Sequence, residues 1–215
     1  MVSTFGIHAI KQPLANFIKQ CVLNKNFKYN PFSGILEDDI GEILVPKFSL
    51  DNIIHKINNS DSLAIEFIGK QGRGKTTHLV YLQKQMEEYP IFLLNHKSSI
   101  TDIINNKANI IFIDSIHHLN FFDRVKIFKE KKVVIYTTHW SRKFDCFLAR
   151  KNNQSIKFKG INEEILREVL NKRLRLASHR NFEPSVICSN DVKTLIKNFG
   201  DNYRGIINHL YVNYQ

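Results

Sequence analysis

The sequence predicts an α/β fold: a five-stranded, mostly parallel sheet with helices on both faces, followed by a C-terminal helical region. Three observations predict it. Short apolar runs that suit buried strands alternate with segments of helical apolar spacing. A glycine-rich loop separates the first clear strand from the helix after it. From residue 162 onward the pattern is helical alone, so a bundle of helices is expected after the sheet.

The glycine-rich loop spans residues 69–76 and reads G-x-x-x-x-G-K-[ST], the pattern of a phosphate-binding loop. The apolar run 63–68 precedes it and predicts a buried strand. Residues 77–86 follow it with the spacing of a helix. Strand, loop and helix in this order are the setting in which the motif binds phosphate. The sequence therefore predicts a P-loop NTPase core.

The residue types of this loop explain how it would hold a nucleotide. Its glycines let backbone N–H groups approach phosphate oxygens, and the following helix points its positive dipole end at them. Lys75 is expected to reach the β- and γ-phosphates, and the Thr76 hydroxyl to bind Mg²⁺. ATP with Mg²⁺ is the predicted cofactor, because no guanine-selecting N-K-x-D motif occurs. The residues predicted to bind it are Gly69, Gln71, Gly72, Arg73, Gly74, Lys75, Thr76 and Thr77.

Four further apolar runs predict the rest of the sheet. The last is shorter than the run before it and is expected at an edge. Strands that alternate with helices predict a parallel sheet, whose ligands bind at the carboxyl ends of the strands. The runs span residues 89–95, 109–114, 131–139 and 155–160.

The third predicted strand ends in Asp114 after four apolar residues, which is the Walker B pattern. A carboxylate at this position would hold Mg²⁺ through water or through Thr76. Thr137 and Thr138 end the fourth strand. These side chains are expected to converge on one edge of the sheet.

Helical spacing also occurs outside the strands. Residues 1–28 predict an N-terminal helix that Pro13 interrupts, and residues 30–48 predict an extended segment. Three domains are predicted from this pattern: an N-terminal helical extension, a P-loop α/β core and a C-terminal helical part, with bounds at 1–29, 30–160 and 161–215. Further helices are expected at 51–57, 98–107, 162–178, from 189 to a stop at Gly200, and from 202 onward.

The charge of the chain is strongly positive and uneven. The formal net charge is +11, and residues 121–160 hold eleven Lys and Arg against three Asp and Glu. Such a basic region favours a polyanionic partner, usually nucleic acid. The alternative is an AT-rich genome that encodes Lys and Asn throughout the chain. DNA is therefore predicted only as one possible partner.

Other features indicate a cytoplasmic protein with no membrane partner. No run of eighteen apolar residues exists, and the first residues lack the pattern of a signal peptide. The three cysteines are scattered, with neither zinc spacing nor a disulfide framework.

The chain resembles the AAA+ ATPases and the STAND signalling NTPases over roughly residues 30–215. The likeness is closest to the branch of origin-initiator ATPases and of transposition ATPases that regulate target choice. It implies that the C-terminal helices form a lid over the nucleotide. Four stretches carry it: 30–32 with Val45-Pro46, the phosphate loop with Thr76-Thr77, the Walker B region 113–119, and the lid segments 163–174 and 200–204.

The resemblance implies roles at both ends of the nucleotide. Val45 and Pro46 would lie beside the adenine. Arg204 would be the sensor-2 arginine that reaches the γ-phosphate. The nucleotide state would set oligomerisation or partner binding.

The resemblance also implies a sensor-1 residue and an arginine finger. Thr138 or Thr137 matches the polar sensor 1 at the end of the fourth strand, with His139 next. Arg150 is best placed as a finger, which would act on a neighbouring subunit of a homo-oligomer, and Arg142 is second. The predicted catalytic residues are therefore Lys75, Asp114, Thr138, Arg150 and Arg204.

One position departs from the family. A glutamate usually follows the Walker B aspartate and polarises the attacking water, whereas Ser115 stands here. A serine hydroxyl is no base at neutral pH. Slow turnover is expected, since positioning and charge stabilisation remain.

Three functions compete at this point. The first is an AAA+-like ATPase whose nucleotide state sets oligomerisation or partner binding, with DNA as a possible partner. The second is a STAND-type switch that acts through protein partners with little hydrolysis. The third is a small-molecule phosphotransferase. Trp140 among cations could contact single-stranded nucleic acid, although a buried or partner-facing role is favoured, and no metal is assigned to His117 and His118.

Overall fold

The computed structural model describes residues 26–214, except for the side chain of Glu37. The described residues form two compact units. One comprises 36–160, and the other comprises 26–35 together with 161–214. The N-terminal helix predicted at 1–28 lies outside the described residues, save for 26–28, which are not helical.

The larger unit is built on a five-stranded sheet in which every neighbouring pair is parallel. The spatial order is β2-β3-β4-β1-β5, which confirms the predicted fold class. The central strands β1 and β4 are almost wholly buried, as expected for a parallel sheet that helices cover on both faces. The strands are β1 Leu63–Ile68, β2 Ile91–Leu93, β3 Ile110–Asp114, β4 Val133–Thr138 and β5 Asn152–Lys157.

Two apolar layers cover the sheet. Successive residues of a strand point to opposite faces, so Ile65 of β1 packs in one layer and Ala64 in the other. The first layer includes residues of α2 and α3, and the second includes residues of α4 and α5. The helices of this unit are α1 Ile40–Ile43, α2 Leu50–Asn58, α3 Lys75–Lys84, α4 Thr101–Asn105, α5 Phe121–Glu130 and α6 Lys143–Leu148.

The smaller unit is helical, as the sequence predicted. It contains α7 Glu163–Ala177, α8 Ser189–Phe199 and α9 Tyr203–Asn213. Side-chain caps begin two of these helices, because Asn162 accepts a hydrogen bond from the backbone of α7 and Asn202 one from α9. Leucines of α7 pack with residues of α8 and α9 in one apolar core.

The segment after residue 30 differs from its prediction. It was expected to be extended through residue 48, but Glu37–Asp39 form a 3₁₀ turn and α1 follows. Ile40 and Ile43 are buried, and this burial stabilises a helix too short to form alone. Residues 30–35, which the sequence assigned to the core, pack instead in the helical unit.

The contacts of Phe32 and Arg173 explain where this segment packs. Phe32 is buried in the apolar core of the helical unit. Arg173 of α7 is also buried, and its guanidinium donates to the carbonyl oxygens of Pro31 (3.2 Å) and Ser33 (2.6 Å). The three-domain division itself stays a prediction.

Two strand predictions needed correction. The fifth strand begins at Asn152 rather than at 155, and with six residues it equals β1 in length. It does lie at an edge of the sheet. Its first residues are polar, so apolar spacing could not reveal them. The second strand is confined to Ile91–Leu93.

The helices of the fold show no membrane span. Among the described residues 26–214, none of them combines the length and the apolarity that crossing a membrane requires.

Candidate functional site

The phosphate loop joins β1 to α3, and its glycines are required by its shape. Gly72 and Gly74 have φ angles of 78° and 79°, in the left-handed region that favours glycine. A Cβ at Gly69 would lie 2.6 Å from the carbonyl oxygen of Phe158, closer than two such atoms can approach. Arg73 donates to the same carbonyl (2.9 Å). The loop is therefore held against the segment after β5.

Lys75 begins α3 and is buried, with 8% of its surface exposed. Its ammonium group donates to the carbonyl oxygens of Gly69 (2.7 Å) and Lys70 (2.8 Å). The cation thus lies within the loop, where phosphate oxygens could replace the two carbonyls as acceptors. This is the placement that its predicted role requires.

The Thr76 hydroxyl donates to Asp114 Oδ1 over 2.8 Å. Thr137 donates to the same oxygen over 2.7 Å, and its own oxygen accepts from the backbone N–H of Ser115. Asp114 ends β3, Thr137 lies near the end of β4, and Thr76 lies in α3, which follows β1 through the phosphate loop. Because β3, β4 and β1 are neighbours, the three side chains meet at the carboxyl ends of these strands. The pairing of Thr76 with Asp114 was expected from sequence.

This oxygen pair fits Mg²⁺. The ion prefers hard oxygen ligands, and it usually takes one or two from the protein while phosphates and waters complete its shell. Thr76 and Asp114 would hold it, with Lys75 beside the phosphates that share it. Within 26–214 no group of three or more His, Cys, Asp and Glu side chains is arranged to hold a metal ion.

The choice of Thr138 as sensor 1 needs correction. Its side chain is fully buried, and its hydroxyl donates to the carbonyl oxygen of Trp140 (2.9 Å). Neighbouring residues of a strand face opposite sides of the sheet, so only Thr137 can point toward Asp114. Thr137 therefore takes the place of Thr138 in the candidate site.

Ser115 occupies the position at which the ATPases that the sequence resembles usually have a glutamate. Its φ angle of 62° is left-handed, and its hydroxyl donates to Asp114 Oδ2 (3.2 Å). The hydroxyl thus acts as a donor to the Walker B carboxylate. In this arrangement Ser115 supplies no proton acceptor for a water molecule.

Four histidines line the same edge of the sheet, a feature that the sequence motifs did not reveal. The rings of His96, His118, His117 and His139 follow one another with centroid distances of 4.3, 4.4 and 4.5 Å. The first of them follows β2, two follow β3 and the last follows β4. The sequence does contain a signal for this row: histidines occur shortly after three of the parallel strands. The carboxyl ends of parallel strands meet at one edge of the sheet, so residues in these positions come close together.

The ionisation of these histidines is perturbed. The pKa of His117 is lowered to about 4, first by burial and then by the charges of His139, His118 and Arg142, while Asp114 acts in the opposite direction. Burial also lowers the pKa of His118. His117 is therefore a neutral imidazole at pH 7.

The predicted adenine-side segment lies beside the first turn of α3. His78 on that turn is buried, its Nδ1 bonds the carbonyl oxygen of Gly74 (2.8 Å), and the main chain of Val45 is its neighbour. Pro46 is exposed. Burial lowers the pKa of His78 to about 4. This placement suits an adenine contact, and that role of Val45 and Pro46 stays a prediction. The nucleotide-binding roles of exposed Gln71 and of Thr77 also stay predictions.

The three candidate arginines lie in different places. Arg142 precedes α6 at the carboxyl edge of the sheet, on the side of the phosphate loop. Arg150 precedes β5, at the amino ends of the strands and thus away from the phosphate loop. Its carbonyl oxygen accepts a hydrogen bond from the Ser62 hydroxyl (3.1 Å). Arg204 is an exposed residue in the first turn of α9, in the helical unit. Its sensor-2 role stays a prediction.

A buried carboxylate ties the loop after β4 to the sheet. Glu66 has no exposed surface, and it accepts hydrogen bonds from the Ser141 hydroxyl (2.9 Å), the Arg142 backbone N–H (2.9 Å) and Asn153 (3.3 Å). Ser155 donates to it as well. Its signal in the sequence was a single charge inside the apolar run of β1. Glu66 holds in place the loop that carries His139 and Trp140.

The basic region 121–160 is less exposed than its sequence indicated. Arg124, Lys131 and Lys151 are buried, and each donates to another part of the core unit. The remaining cations lie on α5, before and after β4, and on both ends of β5, so they belong to several separate elements of the fold. Trp140 is 73% exposed, which excludes the buried role.

Solved structures share this fold at low sequence identity. A protein described as a DNA replication initiation factor matches with a TM-score of 0.51 and 15% identity, over 79% of this chain and 64% of that chain. A point variant of RuvB from Thermotoga maritima matches with a TM-score of 0.53 and 13% identity, over 80% of this chain and 62% of that one. This chain therefore aligns with less than two thirds of each of these proteins.

These likenesses concern the α/β fold that this chain shares with the solved proteins. At 13–15% identity they show the fold and distinguish no branch within it. No family model matches the sequence, and no curated protein matches it. The function of the site must therefore follow from its own residues.

Proposed function

We propose that this protein is an ATP-binding ATPase of the AAA+ type whose nucleotide state controls assembly or partner binding. One observation carries the proposal: Lys75 lies inside the phosphate loop while Thr76 and Asp114 meet at 2.8 Å beside it. A cation for the phosphates and an oxygen pair for Mg²⁺ are the two parts that P-loop NTPases need to bind ATP. A cytoplasmic location is part of this proposal.

The position of Arg150 supports a role between subunits. It precedes β5, whereas the phosphate loop follows β1, and these two strands are parallel neighbours. Six residues of strand span roughly 20 Å, so Arg150 cannot reach the nucleotide of its own chain along this face. As a finger it would act on a second copy, and such an arginine accelerates phosphoryl transfer by about 10³–10⁵-fold.

The proposed turnover is slow. Ser115 donates to Asp114 and replaces the glutamate that would polarise water. Binding, positioning and charge stabilisation remain available from Lys75 and the loop backbone. A slow ATPase can stay in its ATP form long enough for that form to govern assembly.

DNA is proposed as the partner on the evidence of the surface after β4. Trp140 and Phe144 are exposed there, next to Arg142 and Lys143. An aromatic face among cations can stack a base and pair with phosphates. Binding through phosphates would weaken steeply with salt, so a salt titration of fluorescent DNA with and without ATP tests this part alone.

The central test compares Lys75→Ala with Lys70→Ala. Both remove one positive charge from the same loop, but the Lys70 side chain is exposed. ATP affinity with and without Mg²⁺, and phosphate release across protein concentrations, would be measured for both variants and the wild type. We expect Lys75→Ala to lose binding and turnover, and Lys70→Ala to retain both within about threefold.

The outcomes separate the competing functions. Binding with turnover that rises with protein concentration supports an assembling ATPase. Binding without turnover at any concentration favours a nucleotide switch, a function that the donor role of Ser115 also suits. Transfer of the γ-phosphate to a small acceptor rather than to water would identify a phosphotransferase. Absence of ATP binding by the wild type contradicts the proposal itself.

A further inference from the structure

The four-histidine row meets the phosphate loop through His139. Its Nδ1 donates to the carbonyl oxygen of Gly69 (3.2 Å), and the ammonium group of Lys75 donates to that same oxygen (2.7 Å). The two donors are therefore neighbours. Since Lys75 is the group that binds the β- and γ-phosphates in the proposed function, the His139 ring lies beside the place of the terminal phosphate.

His117 lies one ring beyond His139, at a centroid distance of 4.5 Å. It is part of the 3₁₀ turn Ile116–His118 that directly follows Asp114 and Ser115. Its Nδ1 is buried and has no hydrogen-bond partner within residues 26–214. A buried imidazole nitrogen is costly to leave unpaired, and no hydrogen bond at Nδ1 within residues 26–214 fixes which ring nitrogen of His117 carries the proton.

We propose that His117 is the catalytic base of this ATPase and replaces the missing Walker B glutamate, with His139 as the residue that positions it. The inference rests on the proposed function, because it concerns how the bound ATP is hydrolysed. It assigns a proton acceptor to a site whose usual acceptor position holds Ser115.

The reaction that His117 would assist is a simple hydrolysis. The oxygen of a water molecule bonds to the γ-phosphorus, the bond between that phosphorus and the β–γ bridging oxygen breaks, and ADP leaves with the electron pair. One proton of the water passes to the unprotonated ring nitrogen of His117 and is later released to solvent. The products are ADP and inorganic phosphate, and nothing is oxidised or reduced.

The environment of His117 suits this role. Its depressed pKa keeps the ring neutral at pH 7, so that a nitrogen lone pair is available. The charged and titratable groups that act on it are His139, His118, Arg142 and Asp114. An ATP triphosphate beside this row adds negative charge, and negative charge raises the proton affinity of an imidazole. The ring would then become a stronger base when substrate is bound.

The first test uses His117→Gln and His117→Ala, with His55→Gln as the matched control. His55 is an exposed residue of α2, and its side chain is outside the row. Single-turnover hydrolysis of ATP labelled at the γ-phosphate would be followed, together with the affinity for a fluorescent ATP analogue. We expect the His117 variants to lose about 10²-fold in rate while the affinity changes less than threefold, and His55→Gln to match the wild type.

Two further measurements separate a base from a structural residue. The wild-type rate should fall at acidic pH, and this fall should be absent in His117→Ala. Added imidazole should restore part of the rate of His117→Ala, and added imidazole should leave His55→Gln unchanged. A purely structural role of His117 would produce neither the altered pH profile nor the rescue.

Several results would overturn the inference. A hydrolysis rate within twofold of wild type in both His117 variants would do so. A rate of His117→Ala that still falls at acidic pH would do so as well, as would His117 variants that lose ATP affinity rather than hydrolysis rate. Wild-type protein that binds ATP but never hydrolyses it would refute the base while leaving the nucleotide-binding function intact. Wild-type protein that does not bind ATP would instead refute the proposed function.

Discussion

Two carboxylates of the same sheet, Glu66 and Asp114, perform different tasks because of where they lie along their strands. Glu66 is in the middle of β1 and is fully buried, and side chains and backbone from β4, the loop after it and β5 donate to it. Asp114 ends β3, is partly exposed, and accepts from two threonine hydroxyls and from Ser115. Five donors and complete burial leave Glu66 no room for a further ligand, whereas Asp114 has three donors and an exposed side from which a cation can approach.

The largest effect is expected for Asp114→Asn. The amide oxygen can still accept from Thr76 and Thr137, so the free energy of unfolding should change by less than about 1 kcal/mol. The lost charge should reduce Mg²⁺-dependent turnover by at least about 10²-fold. Urea unfolding and phosphate release would be measured beside Asp102→Asn, an exposed control on α4. A loss of stability equal to that of a core mutation would make Asp114 structural like Glu66.

The reverse pattern is expected for Glu66→Gln. An amide in place of the carboxylate directs its own donors at groups that donate, and leaves buried donors without a good acceptor. We expect a loss of about 2–4 kcal/mol in the free energy of unfolding. Urea unfolding measures this loss, and ATP affinity of the folded fraction should stay near wild type. A variant that kept its stability but lost turnover would instead show that Glu66 has a functional role in the site.

Two histidines with equally depressed pKa values extend the same comparison. His78 and His117 both have a pKa of about 4, but Nδ1 of His78 bonds Gly74 while that of His117 has no partner in the described part of the chain. Below pH 6.5 the unfolded chain binds a proton that folded His78 does not. Stability should therefore fall between pH 6.5 and 4, by an amount on the order of 3 kcal/mol.

Unfolding in urea at several pH values would check this. The slope of stability against pH should flatten in His78→Phe, since the aromatic contact with Phe158 can persist while the titrating nitrogen is lost. An unchanged slope in that variant would assign the acid sensitivity to other groups.

The smallest effects distinguish the two threonines that end β4. Thr137→Val removes a donor to Asp114 and should lower turnover about tenfold, with little change in stability. Thr138→Val removes the hydrogen bond to the Trp140 carbonyl and should cost about 1 kcal/mol of stability with turnover unchanged. Parallel measurement of both quantities in the pair is the check. Equal turnover losses would show that the hydroxyl on Asp114 has no special role.

Much of the fold could be predicted from local patterns. Apolar runs predicted all five strands, and caps such as Asn162 and Asn202 predicted where two C-terminal helices begin. The polar start of β5 could not be predicted in this way, because its residues are placed by pairing with β1 rather than by their own apolarity. The helix α1 was missed for a similar reason, since tertiary burial stabilises its single turn.

In the candidate site, too, residues in local motifs could be predicted, whereas residues brought together by folding could not. The P-loop motif and the Walker B pattern are local in sequence, so the amino-acid sequence alone identifies Lys75, Thr76 and Asp114. Which threonine donates to Asp114 depends on the pleat of β4, and the contact between the rings of His117 and His139 depends on strand order. The chemistry of binding was readable because consecutive residues carry it. The residues proposed to act in hydrolysis are brought together by folding, because distant strand ends meet only when the parallel sheet is assembled.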